Sequence, residues 1–255
     1  MKKILYILPL LLCVSCENVL DIEDVNNYDA DRIWHDPNLA NAYMANLYPM
    51  FGNWNAGLEQ KSQQLVGIHF YPDRVTISND QYKSWDYNRI RLINEAIQDV
   101  TAGSLDQALK DNIMGQALFM RAYAYFQMVM YHGGVPYLKE PQDRDEDDLY
   151  VARNTTAECF DFIIQDLDEA IAMLPARIEP SSVDYGKIDG SFAKAFKAKV
   201  LLYKASPQFN PSNPWDNAYW DEAHEANKQA YDDLLAEGYS LVPDYASIAL
   251  EEQNP

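Results

Sequence analysis

Apolar positions recur along most of this chain at the three- and four-residue steps of amphipathic helices. A first helix is predicted from Asp36-Pro37, with Asp36 as N-cap and Pro37 at the first helical position. It runs through "NLANAYMANLYPMF" and stops near Pro49 and Gly52. From 52 to 84 the pattern is irregular, with Trp54, Tyr71 and Tyr82 scattered among polar residues, and a stretch that long without an element is often functional. Periodicity resumes at Trp85, where Ile90, Ile93, Ala96, Ile97 and Val100 share one side of a helix over 85–100. The next helix, 104–131, is apolar on every side, which belongs inside a fold. Gly133 and Gly134 predict a left-handed C-cap for it, and Pro136 bars its resumption. After a charged loop, Thr155 and Glu158 have capping-box spacing. The helix they open puts Phe160, Ile163, Ile164, Leu167, Ile171 and Leu174 on a dry face. Its wet face carries Asp161, Asp166, Asp168 and Glu169. Further helices cover 191–205 and 217–237, separated by the proline-broken "SPQFNPSNPW" and closed by Gly238.

The helices repeat. "ALFMRAYAYF" (117–126) aligns without a gap on "AFKAKVLLYK" (195–204), and each follows an amphipathic helix. The helix "EANKQAYDDLLAEG" opens a third pair. Small residues that let helices approach, with aromatics filling the gaps between pairs, resemble tetratricopeptide repeats. The expected fold is therefore mostly α: TPR-like helix pairs carrying long irregular insertions.

The N-terminus changes the picture. "MKKILYILPLLLCVSC" has two lysines, an apolar run from Ile4 to Val14, and then Ser15-Cys16. The run is too short to span a membrane and has the build of a secretory signal. A small residue before a cysteine is what a bacterial lipoprotein signal looks like, with Cys16 as the lipidated first residue; an ordinary signal peptide or short anchor is the plainer alternative. The expected organisation is a signal at 1–15, an acidic tether at 16–35 and a helical domain at 36–255. With Cys16 acylated, Cys159 has no intrachain partner, so a disulfide framework is excluded, and its apolar neighbours suggest a small buried hydrophobe. The chain carries 39 acidic and 20 basic residues, a formal charge of −19. That field repels nucleic acid and anionic lipid surfaces and is indifferent to a neutral sugar or peptide.

The block "GQALFMRAYAYFQMVMYHGGVPYL" (115–138) resembles the signature of the SusD/RagB family of outer-membrane lipoproteins. The matching positions are Gly115, Ala117, Arg121, Ala122, Tyr123, Tyr125, Phe126, Gly133, Gly134, Val135 and Pro136; Leu118 stands where an arginine is usual. Trp85, Tyr87, Ile90 and Asn94 resemble the preceding helix, and "DLDEAIAMLP" (166–175) and "AKAFKAKVLLYKASPQFN" (193–210) the following ones. Family members are longer, so the chain reads as an N-terminal portion with an unfinished helix pair. The resemblance implies a non-enzymatic surface protein. Such a protein captures an oligosaccharide, or in some members a peptide, and hands it to a SusC-like TonB-dependent transporter.

No motif marks a catalytic centre or calls for a cofactor: there is no nucleophile elbow, zinc-helix pair or phosphate loop. The acidic loop 143–154 has the alternation of a calcium loop, but Asp148 takes the glycine position and Asn154 the bidentate glutamate's, so a solvated loop with no metal is expected. A sugar site needs an exposed aromatic platform beside carboxylates, amides or guanidinium groups. "HFYPDRVTISNDQY" (69–82) has that mix, which makes Tyr71, Asp73, Arg74 and Tyr82 candidates, with Trp54 a fifth. Trp85 is expected to pack instead.

Overall fold

The computed structural model describes residues 30–52, 85–143, 145 and 148–241. Trp54, Tyr71, Asp73, Arg74, Tyr82 and Cys16 lie outside the described residues. Seven helices are seen among those described: α1 (Ala30–Ile33), α2 (Pro37–Leu47), α3 (Tyr87–Ala102), α4 (Gln107–His132), α5 (Thr156–Met173), α6 (Gly190–Ala205) and α7 (Tyr219–Ala236), with a 3₁₀ turn at Tyr48–Phe51 after α2. The described scaffold begins inside the stretch assigned to the tether: α1 precedes Trp34, which is buried in the core.

Helices α2, α4, α5 and α6 start where a side chain satisfies free helix N–H groups. Asp36 accepts from Asn38 N, as its position before Pro37 predicts. Thr155 and Glu158 form the predicted capping box, each side chain bonded to the other's backbone N–H. Asp106 and Asp189 cap α4 and α6, accepting from Leu109 N and Phe192 N. The Asp106 cap moves the start of α4 to 107 from the expected 104.

Helices α3 to α7 form an up-and-down array in which each packs on its neighbours in chain order. The tie from Arg121 to Asp166 and those of Lys204 and Lys197 to Asp161 and Asp168 fix the antiparallel register of α4, α5 and α6. Asn227 Nδ2, donating to Ala198 O, and the Lys194–Asp233 pair do the same for α6 and α7. This is the TPR-like arrangement of pairs α3/α4 and α5/α6, with α7 opening a third.

The most apolar helix is the most enclosed. Phe119, Met120, Ala122, Tyr125, Phe126, Met128 and Val129 are fully buried, so "RAYAYFQMVM" is core. The repeat partner differs: Lys199, aligned with the buried Arg121, is exposed. Helix α4 is covered by α3, α5 and α2 and, through Phe196 and Tyr203, by α6, whereas Lys199 lies on the side of α6 turned away from these contacts. At the exit of α4, Gly133 has φ 69° and ψ −140°, a glycine-only conformation rather than the expected left-handed helical cap. Gly134 is required by contact, since a Cβ there would sit 2.0 Å from Asn154 O.

Candidate functional site

After Gly134 the chain crosses α3, α4 and α5 as an extended strap, Pro136 to Gln142, whose backbone oxygens are taken up by side chains beneath. Tyr87 Oη donates to Pro136 O, Asn94 Nδ2 to Leu138 O, and Arg121 Nη1 to Lys139 O, at 2.8, 2.9 and 3.0 Å. Arg91 Nη1 donates to Gln142 O at 2.5 Å. Tyr125 Oη both donates to Leu138 O and accepts from Leu138 N. Its ring stacks on Tyr137 with centroids 3.7 Å apart.

Beneath the strap lies a buried ion pair. Arg121 donates through Nε and Nη2 to the two oxygens of Asp166, both at 2.8 Å, and through Nη1 to Asn94 Oδ1 at 3.0 Å. Tyr137 Oη donates to Asp166 Oδ2 at 2.8 Å. The side chains of Arg121 and Asp166 are 6% and 2% exposed. Asp166 therefore does not belong to the wet face of α5. Its spacing from Ile163 and Ala170 puts it on the dry side, where Arg121 neutralises it. Burial alone would lower the Arg121 pKa, but its hydrogen bonds and attraction to Asp166 outweigh that and raise it. Burial, and then the Asp166 charge, push the Tyr137 phenol well above its ordinary range.

Two grooves flank the strap. The larger, about 590 Å³, has a floor of Ile97, Met114, Leu118 and Met173 and a rim of Gln98, Lys139, Glu140 and Glu169. The smaller, about 280 Å³, lies between Tyr87, Arg91, Leu149 and Val151. An apolar floor with a few polar groups is the make-up of a binding surface. Among the described residues, no group of three His, Cys, Asp or Glu is placed to hold a metal ion. In the acidic loop the carboxylates of Asp143 and Asp148 turn onto the N–H groups of Asp145 and Tyr150. Cys159 is free and buried, and burial raises its thiol pKa.

The described chain on either side of the candidate segment 53–84 lies along the second half of α4. Phe51 packs on Tyr123, centroids 4.8 Å apart. Trp85 stacks on His132 at 4.3 Å yet stays 49% exposed, so it packs only in part. His132 Nε2 is buried beside it, with no hydrogen-bond partner among the described residues. No helix among the described residues is long and apolar enough to cross a membrane.

Residues 29–202 match a SusD-like family model described as starch-binding and associating with the outer membrane. A SusD-like protein of Formosa agariphila is 25% identical over 209 residues, covering 74% of this chain and 39% of the relative. One from Bacteroides ovatus is 30% identical over 145 residues, covering 53% of this chain and 26% of the relative. The crystal structure of a SusD-like protein from Bacteroides fragilis superposes with a TM-score of 0.67 at 27% identity, over 84% of this chain and 41% of that one. The chain thus spans about two-fifths or less of the length of these relatives.

Proposed function

The chain belongs to the SusD-like family, and on that footing we propose that it captures an oligosaccharide outside the cell and passes it to a SusC-like TonB-dependent transporter. The observation that carries this reading is the family match, which runs from before α1 into α6 and so includes the whole strap and its buried ion pair. The family is one of carbohydrate-binding proteins associated with the outer membrane, not of enzymes. Capture without turnover is accordingly the role proposed here. Membrane attachment is assigned to a lipid on Cys16, with the domain facing outside. Ligand contacts are assigned to Trp54, Tyr71, Asp73, Arg74 and Tyr82. In support, the described chain flanking their segment lies beside exposed aromatic surface at Trp85 and along Tyr123 to His132.

A peptide could replace the glycan, and a scaffold that only organises protein partners is the rival of a different class. Calorimetric titration with soluble glycans, alongside pull-down of the transporter, separates the readings. Saturable glycan binding with no release of reducing ends is expected. Transporter capture without saturable binding of glycan or peptide would leave the scaffold reading standing and remove this one.

A further inference from the structure

We propose that the loop joining α6 to α7 carries a second carbohydrate subsite, in which Trp215 stacks on the apolar face of a gluco-configured pyranose. This rests on the carbohydrate-binding reading and adds to it a site on a different element. Trp215 is 76% exposed, more than any other tryptophan among the described residues. Its Nε1–H makes no hydrogen bond to them.

The loop that presents it is pinned. Asn210 Nδ2 donates to Lys204 O and Ser206 O, and Asn217 Nδ2 to Ala205 O and Asn213 O. Trp220 Nε1 donates to Pro214 O, and Gln208 Nε2 reaches across to Met130 O. Phe209 packs edge-on against Phe160. Trp215 lies parallel to Trp220 within 10°, centroids 6.5 Å apart, and Trp220 in turn packs against the cluster of Leu201, Ala205 and Ala223. The indole is therefore held in place from behind with its outer face in water. Ordering before binding removes much of the entropic penalty of capture.

The chemistry suits a sugar. A pyranose turns axial C–H groups towards an aromatic face and leaves its hydroxyls for polar neighbours and for the free indole N–H. Asn213 and Asp216 flank Trp215 and are exposed. The formal charge of −19 disfavours a phosphorylated or nucleic-acid ligand. Placement adds to this. In the antiparallel array the start of α3, the end of α4, the start of α5, the end of α6 and the start of α7 share one end. Trp85, on His132, stands at that same end.

Five tryptophans give five indole N–H resonances, assignable by substitution. The experiment titrates the full-length chain with maltoheptaose and, separately, with laminarihexaose, following these resonances by ¹⁵N NMR. The expected result is a saturable shift of the Trp215 resonance with at least one glucan. Trp215→Ala should weaken affinity for that glucan about tenfold or more, leaving the melting temperature unchanged. If other indoles respond while Trp215 does not, the subsite is wrong and the nutrient-capture reading stands. If no indole responds and calorimetry detects no binding, both fail.

Discussion

Replacing Asp166 with alanine should be among the most damaging single changes in this protein. The substitution leaves Arg121 charged, 6% exposed in its side chain and stripped of two charge-assisted hydrogen bonds. It also orphans the Tyr137 hydroxyl. Removing one member of a buried ion pair is worth about 3–5 kcal/mol, because the remaining charge is left without compensation. For a domain of this size each kcal/mol moves the midpoint by roughly 2–4 °C, so calorimetry should show a fall of roughly 6–20 °C. The double variant Arg121→Met/Asp166→Ala removes the uncompensated charge and should recover part of that loss, a coupling of about 1–3 kcal/mol by double-mutant cycle. A fall of under about 2 °C in the single variant, or strict additivity in the cycle, would refute the claim that this pair anchors the strap.

Other expectations follow from the same core. Tyr125→Asp should abolish folding, since it puts a carboxylate at a fully buried site against Tyr137; a soluble, cooperatively melting variant would return "RAYAYF" to the surface. Alkali should destabilise the protein. Burial pushes Tyr43, Tyr48 and Tyr87 up to about 12 from 10, with Tyr125 and Tyr137 raised as well. Because the folded pKa values lie above the unfolded ones, their contribution is full below about pH 10 and is lost as pH rises towards 12. Phenolate absorbance and circular dichroism followed together should show delayed ionisation that completes on unfolding. On the membrane side, Cys16→Ala should abolish incorporation of labelled palmitate, and undiminished label would remove the anchor.

The helices were legible because their apolar faces keep a 3.6-residue period over several turns, and because Asp36 and Thr155 are capping residues in the right register. What escaped was long-range. A charge among other acids predicts a solvated Asp166, although its spacing from Ile163 and Ala170 sets it on the dry face. Its partner Arg121 is far off in the chain, on another helix. Two opposite charges, each at a core position of its own helix, were the available signal. The strap was likewise hidden, since "PYLKEPQ" has no period and its order comes from side chains of α3 and α4. Within the stretch that carries the family signature, Gly134, Tyr125 and Tyr137 serve the strap.

Capture of glycan is proposed to fall to residues of the 53–84 segment on this helical scaffold. It is tested most directly by the glycan affinity of Tyr71→Ala and Arg74→Ala, measured by calorimetry against the unsubstituted full-length chain. Each variant should lose at least tenfold in affinity, about 1.4 kcal/mol, with its melting temperature unchanged. Unchanged affinity in both would contradict it.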